Sequence, residues 1–317
     1  MIENYKYIRF FGQISGKDAK TAGGKAANLA RLVRAGIPVP NGFAILAPAF
    51  LELSKASNIG EKIEAVQSKI DAADAKSVKT GSEAIKRIIM AANLADLGIE
   101  TLAAFAALGA KLVSVRSSAT SEDSKSDSWA GQLETNLNVA KPDLIEKVKK
   151  SWASLYGERA LQYAAEKKLD GKTNSVAVIV QAMIKPEVSG VCFTVHPVTN
   201  SKKQMVIESV WGLGESLVQG AVTPDRYLVS RPDLTILDVN ANSQDKMIAK
   251  TARGSGWIKV PKSKRLAQKL SGFQIVELCR LCLKIEKLYK APQDIEWART
   301  SDGFCILQTR PITTFKN

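Results

Sequence analysis

An α+β or α/β protein in two lobes is what this sequence predicts, and three observations lead there. Its 317 residues suffice for two hydrophobic cores. Helix-like and strand-like segments are interspersed along the chain, with no repeat and no low-complexity tract. Val176-Ala177-Val178-Ile179-Val180-Gln181 is a nearly continuous apolar run, the pattern of a strand buried on both faces. The lobes are expected to meet just after it, near Gln181 to Pro186, so residues 1–184 form the N-terminal lobe and 185–317 the C-terminal one.

Taken in order, Gly23 to Gly36 reads as a glycine turn followed by a short helix over Lys25 to Ala35, striped by Leu29, Leu32 and Val33. Gly36-Ile37-Pro38-Val39-Pro40 breaks it. From about Pro48 to Ala107 the chain is rich in Ala, Lys and Glu at helical spacing, a helical block. Lys111 to Val115 is a strand, and a Ser/Thr-rich loop runs from it to about Thr135. A helix follows Pro142 with Leu144, Ile145, Val148, Trp152 and Leu155 on one side. Strands are expected at Gly190 to Thr194, Met205 to Ser209 and Arg226 to Val229. A long helix, Gln274 to Lys290, precedes a final hairpin.

Composition narrows the function classes. The net charge of +14 comes from 45 basic and 31 acidic side chains, a surplus that attracts polyanions and phosphorylated molecules. Most lysines are interleaved with glutamates, and the densest basic stretch, Lys259 to Lys269, has only Trp257 near it as a stacking aromatic. A nucleic-acid partner is therefore not expected. No segment approaches the roughly 18 to 20 apolar residues of a membrane span, and Met1 to Lys6 carries no signal-like apolar region. Four cysteines are too sparse for a disulfide framework, which favours a reducing cytoplasm.

The C-terminal hairpin holds the most chemistry. Asp294-Ile295-Glu296-Trp297 alternates, so both carboxylates share a strand face. Ser301-Asp302-Gly303 is a turn signal, and Phe304 to Arg310 returns. With Asp302 at the turn's centre, Glu296 faces Gln308 and Asp294 faces Arg310, all four on one face. Hard oxygen donors beside a guanidinium suit magnesium shared with phosphate, which Arg310 can grip bidentately. An ordinary solvated face with one cross-strand ion pair is the alternative.

Gly23-Gly24-Lys25 opens a helix where backbone amides, dipole and lysine all favour an anion. A Walker A loop is excluded by Ala19 and Ala26. Arg116 leads into Ser117-Ser118-Ala119-Thr120-Ser121-Glu122-Asp123, whose hydroxyls and amides can wrap phosphate oxygens or form a plain surface loop. Trp129-Ala130-Gly131-Gln132 favours a folded loop. Other patterns fail. Gly212-Leu213-Gly214 has Leu217 where a dinucleotide fingerprint needs glycine. Cys279 and Cys282 belong to an apolar helical stripe rather than a zinc site. His196, the single histidine, has no nucleophile elbow and reads as structural.

Together these segments resemble the N-terminal nucleotide-binding domain of phosphoenolpyruvate synthase (pyruvate, water dikinase), with pyruvate phosphate dikinase and rifampicin phosphotransferase as relatives. The matching stretches are Gly23 to Leu29, Gly36 to Phe43, Val115 to Asp123, Ala130 to Gln132, Gly190 to Thr194, Gly212 to Glu215, Val218 to Gly220, Asp294 to Trp297 and Leu307 to Pro311. They follow the family order across nearly the whole chain, leaving only about Ala47 to Ala110 without markers.

The resemblance implies an α+β, two-lobed, ATP-grasp-like fold that clamps a nucleotide between its lobes, with ATP and Mg2+ as cofactors. By position Lys25, Arg116 and Arg310 would bind the triphosphate and act catalytically, and Glu296 and Gln308 would hold the metal. Gly131 and Thr135 would belong to the phosphate-covering loop, and Gln181 to Met183 would lie against adenine. In the resembled synthase the β-phosphoryl group passes through a pyrophosphorylated histidine to pyruvate. That histidine's motif and the pyruvate-binding barrel are absent here, so an incomplete phosphotransferase needing a histidine-bearing domain or subunit in trans is expected. The alternatives are the nucleotide domain of a rifampicin phosphotransferase-like enzyme and a non-catalytic nucleotide-binding protein.

Overall fold

The computed structural model describes residues 5–119, 135–166, 176–252 and 254–312. It divides into two compact units, Met1–Ala30 with Asn41–Met183, and Arg31–Pro40 with Ile184–Asn317. Residues 31–40, placed by the sequence with the N-terminal lobe, thus cluster with the second unit. The physical reason is local: Leu32 and Ile37 pack in the second unit's core, and the Pro38 carbonyl accepts the Ile306 amide at 2.8 Å.

In chain order the first unit contains β1 (Ile8–Phe10), α1 (Ala19–Arg34, its last residues counted with the second unit), β2 (Gly42–Ile45), α2 (Pro48–Ala56), α3 (Ile59–Gln67), α4 (Ala75–Ala91), α5 (Ala95–Leu108), β3 (Val113–Ala119), β4 (Thr135–Val139), α6 (Leu144–Ala153), α7 (Glu158–Glu166) and β5 (Val176–Ala182). The second contains β6 (Val188–Phe193), β7 (Gln204–Trp211), α8 (Glu215–Val218), β8 (Asp225–Ser230), β9 (Ile236–Asn240), β10 (Lys246–Thr251), β11 (Gly254–Lys259), α9 (Gly272–Tyr289), β12 (Gln293–Thr300) and β13 (Gly303–Pro311).

The first unit's sheet runs β1-β2-β5-β3-β4, with every neighbouring pair antiparallel. Because successive side chains alternate, its strands sort into two faces. Ile8, Phe43, Ile45, Val113, Val115, Val178 and Val180 join Phe50, Ile85, Ile89, Phe105, Val148 and Trp152 of the helices in one core. The helical block expected from Pro48 onward supplies most of that cover. The opposite face carries Ala44, Ile179, Arg116 and Thr135 in one row, with Gly42, Gln181 and Ser114 in another.

The second unit repeats the plan with a six-stranded sheet, β13-β12-β6-β7-β8-β9, again antiparallel, and a separate β10-β11 ribbon. Ile295, Trp297, Ile306, Cys192, Ile207, Tyr227 and Val229 turn toward Ile275, Leu278, Cys279, Cys282 and Ile285 of α9. Ser271 caps this helix in a capping box with Gln274, and Lys290 ends it in a left-handed conformation. Both cysteines of the pair are buried core residues, as their helical spacing predicts.

Three local readings differ from the structure. Gly23 (φ 75°, ψ 161°) interrupts α1, so a helical turn precedes the glycines and a regular helix resumes after them. Strand β3 extends through Ser118 to Ala119, so Arg116 lies within a strand, not after one. In the hairpin Thr300 pairs with Gly303, making Ser301–Asp302 a two-residue loop without Asp302 at its centre. Unshifted, that register sets Glu296 against Leu307. A bulge between Glu296 and Trp297 restores Glu296 to Gln308 and Asp294 to Arg310.

Candidate functional site

In the first unit the polar sheet face gathers three of the expected residues. Arg116 on β3 is the direct cross-strand partner of Thr135 on β4. Gln181 on β5 is on the same face, opposite Ser114 and Gly42, and is itself buried. Lys25, just past the Gly23 break in α1, reaches β3 and donates from Nζ to the Ser117 carbonyl at 3.1 Å. Met183 ends this segment with its amide on the Leu112 carbonyl at 2.9 Å. Gly131 lies outside the described residues.

The serines that read as loop divide by strand alternation. Ser117 points to the core side, where its hydroxyl donates to the Ser151 carbonyl at 3.2 Å. Ser118 shares the Arg116 face, and its buried hydroxyl has no hydrogen-bond partner among the described residues. A buried hydroxyl of that kind costs stability unless something satisfies it. Strand alternation applied through Ser118 would have found it.

In the second unit Asp294, Glu296, Gln308 and Arg310 share the face turned away from α9. Glu296 and Arg310 are within 3.9 Å and both partly exposed, while Gln308 is buried. Asp294 Oδ1 is buried and has no hydrogen-bond partner among the described residues. Burial, then the neighbouring Glu296 charge, push the Asp294 carboxyl up to about 6, against the pull of Arg310. The face continues through Val191, Glu208 and Arg226 across β6, β7 and β8. Glu208 and Arg226 were not singled out by their sequence, and only the register reveals them.

Two further residues contact members of this face. Gly190 sits opposite Trp297, and a Cβ there would collide with the Glu208 carbonyl and approach the Trp297 ring to 2.7 Å. His196 Nδ1 accepts the Val198 and Thr199 amides at 3.3 and 3.2 Å, and Nε2 is 3.2 Å from Arg226 Nη2. The ring organises a turn, in keeping with a structural histidine. Among the described residues no three His, Cys, Asp or Glu side chains cluster as a self-sufficient metal cage.

A mixed helix-and-sheet protein with polar sheet faces of this kind belongs, by its sequence, to a known class. The chain matches the family described as pyruvate phosphate dikinase, AMP/ATP-binding domain, over residues 19–317, and it is a member of that family. It is 36% identical over 99% of its length to a probable phosphoenolpyruvate synthase of Methanocaldococcus jannaschii. It is 37% identical over 98% of its length to the phosphoenolpyruvate synthase of Pyrococcus furiosus, and 36% identical over 92% to a rifampicin phosphotransferase of a Streptomyces species. The chain spans 27%, 44% and 34% of those three relatives, respectively. No single helix among the described residues is long and apolar enough to cross a membrane.

Proposed function

We propose that this chain is an ATP-grasp-like, Mg-ATP-binding part of a phosphoenolpyruvate synthase-like phosphotransferase. It delivers a phosphoryl group to a histidine on a separate domain or partner, and through it to pyruvate. The observation that carries this is the hairpin register, which groups Asp294, Glu296, Gln308 and Arg310 on one sheet face, where Asp294 Oδ1 has no hydrogen-bond partner among the described residues. Family membership supports ATP as the nucleotide.

The residues fit magnesium. Glu296, the Gln308 amide oxygen and Asp294 are hard oxygen donors, and fewer than a full cage suits an ion that keeps waters and shares substrate phosphates. Glu296 and Gln308 would hold it, and bound there it neutralises charge on the phosphate oxygens. Lys25, Arg116, Gly131, Thr135 and Arg310 would each be phosphate-binding residues. Gln181 to Met183 would lie against the base. Phosphoryl transfer rests on positioning and charge neutralisation, which these cations supply without covalent chemistry. His196, engaged in its own turn, is not the acceptor.

Calorimetric titration of ATP with and without magnesium tests the proposal. Glu296→Ala is expected to remove the metal-dependent gain in affinity, roughly tenfold or more. Unchanged Mg-ATP binding would overturn the hairpin assignment. A rifamycin as final acceptor is the second reading, favoured by the equal identity to the rifampicin phosphotransferase, and assay of both acceptors with the histidine-bearing partner separates them.

A further inference from the structure

Half of the chain's surplus charge sits in one stretch that the proposed reaction does not use. Residues 244–269 hold eight lysines and arginines against one aspartate, in a chain whose net charge is +14. Two of the eight are neutralised internally: Lys269 is buried on Asp225, and Arg265 pairs with Asp245 at 3.3 Å. Exposed lysines remain at 246, 250, 259, 262 and 264.

Pairing in the ribbon concentrates them. Lys246 is directly opposite Lys259, and Ile248 is directly opposite Trp257. By alternation Lys246, Ile248, Lys250, Trp257 and Lys259 share one face, on which Ile248 is buried while the lysines and the indole emerge around it. Trp257 is 43% exposed, and Lys246 Nζ stands 4.6 Å from its ring centroid. Like charges directly opposed across strands destabilise a ribbon, as does leaving an indole in water. Lysines that merely guard a free sheet edge would account for Lys259 on the outer strand β11. They would not account for Lys246 and Lys250 on β10, whose Ile248 carbonyl already accepts the Leu213 amide at 2.8 Å.

We propose that this ribbon face binds single-stranded nucleic acid, with a base stacking on Trp257 and phosphates on Lys246, Lys250 and Lys259. An aromatic platform among cations is the pattern such ligands use. Acidic protein surfaces are a poorer match, because protein interfaces are depleted in lysine. The sequence argued against nucleic acid because Trp257 stood alone beside Lys259. Folding brings in Lys246 and Lys250 from the preceding strand.

Fluorescence anisotropy with a labelled oligouridylate of about a dozen nucleotides tests this on the full chain. Three phosphate contacts predict a roughly twenty-fold loss of affinity between about 50 and 200 mM salt. Trp257→Ala should weaken binding about tenfold, with Trp257→Phe recovering most of it. Lys246→Gln with Lys259→Gln should weaken binding and flatten the salt dependence, with the circular dichroism spectrum unchanged. Absence of binding, indifference to these variants, competition by Mg-ATP, or equal competition by polyglutamate would each overturn the proposal. Glu296→Ala should leave oligouridylate binding intact, so failure here and failure of the phosphotransferase reading are distinguishable.

Discussion

Two ionic clusters in the second unit have similar ingredients and opposite states. Around Asp225, Oδ1 accepts Lys269 Nζ at 2.6 Å and the Asn242 amide at 2.8 Å, while Oδ2 accepts the Lys269 amide and the Tyr227 hydroxyl, both at 2.9 Å. Lys269 Nζ also donates to the Asn242 carbonyl at 2.7 Å, and both charged side chains are fully buried. Burial raises the Tyr227 phenol well above its ordinary range, so it remains a donor. On the hairpin, by contrast, Glu296 and Arg310 are 3.9 Å apart, and Asp294 Oδ1 has no hydrogen-bond partner among the described residues. The first cluster has closed on itself and locks β8 to the segment before α9. The second has not closed in this way, since the buried Asp294 Oδ1 lacks such a partner among the described residues.

The contrast predicts different costs of disruption. Lys269→Ala should be the most damaging change, about 3–5 kcal/mol by urea unfolding, because it strands the Asp225 charge in the interior. A loss under about 1 kcal/mol would mean that the buried pair is not the lock described.

Asp294 comes next, and its sign is opposite. Its carboxyl is held up at about 6 in the fold, above the ordinary 3.8. Below pH 4 both folded and unfolded forms are protonated and nothing is lost. Between about 4 and 6 the unfolded chain ionises first, so stability falls as pH rises, and the full penalty persists above 6, up to ~3 kcal/mol. Asp294→Asn should therefore raise the melting temperature of the metal-free protein at pH 7 while leaving it nearly unchanged at pH 4. A destabilised Asn variant at pH 7 would show that Asp294 is paired like Asp225, and the comparison would break.

How much of this was legible beforehand depends on the periodicity each segment carries. The two facing pairs of the hairpin were readable, though by compensation: the loop is one position off the assumed centre and the bulge at Glu296 returns the register. Nothing in residue types marks that bulge. In strand β3, Ser117 and Ser118 suggest a loop by residue type, whereas alternation buries one on the helix side and the other on the Arg116 side. The ribbon β10-β11 is hard to read from sequence, since Lys246-Met247-Ile248-Ala249-Lys250-Thr251 is short and its partner strand holds two glycines. Strands β1 and β2 lie in brief runs beside glycine and proline punctuation, and only the pairing of β1 with β2 and of β2 with distant β5 makes them sheet. The long, strongly periodic α9 was visible within two residues at its start and one at its end.

Arg310 sharpens the comparison at its small end. Its side chain is 46% exposed and its contact with Glu296 is long, so screening and side-chain entropy leave the pair worth under about 1 kcal/mol. Arg310→Gln should then shift the urea midpoint barely at all. If the guanidinium grips a phosphate, the same change should lower Mg-ATP affinity about tenfold, a loss comparable to one charge-assisted bond. Arg310→Lys should restore only part of it, because an ammonium keeps the charge but not the planar fork. Equal rescue by lysine would point to a diffuse charge effect, and an unaltered affinity in the Gln variant would remove Arg310 from the site while leaving the Asp294 and Glu296 predictions standing.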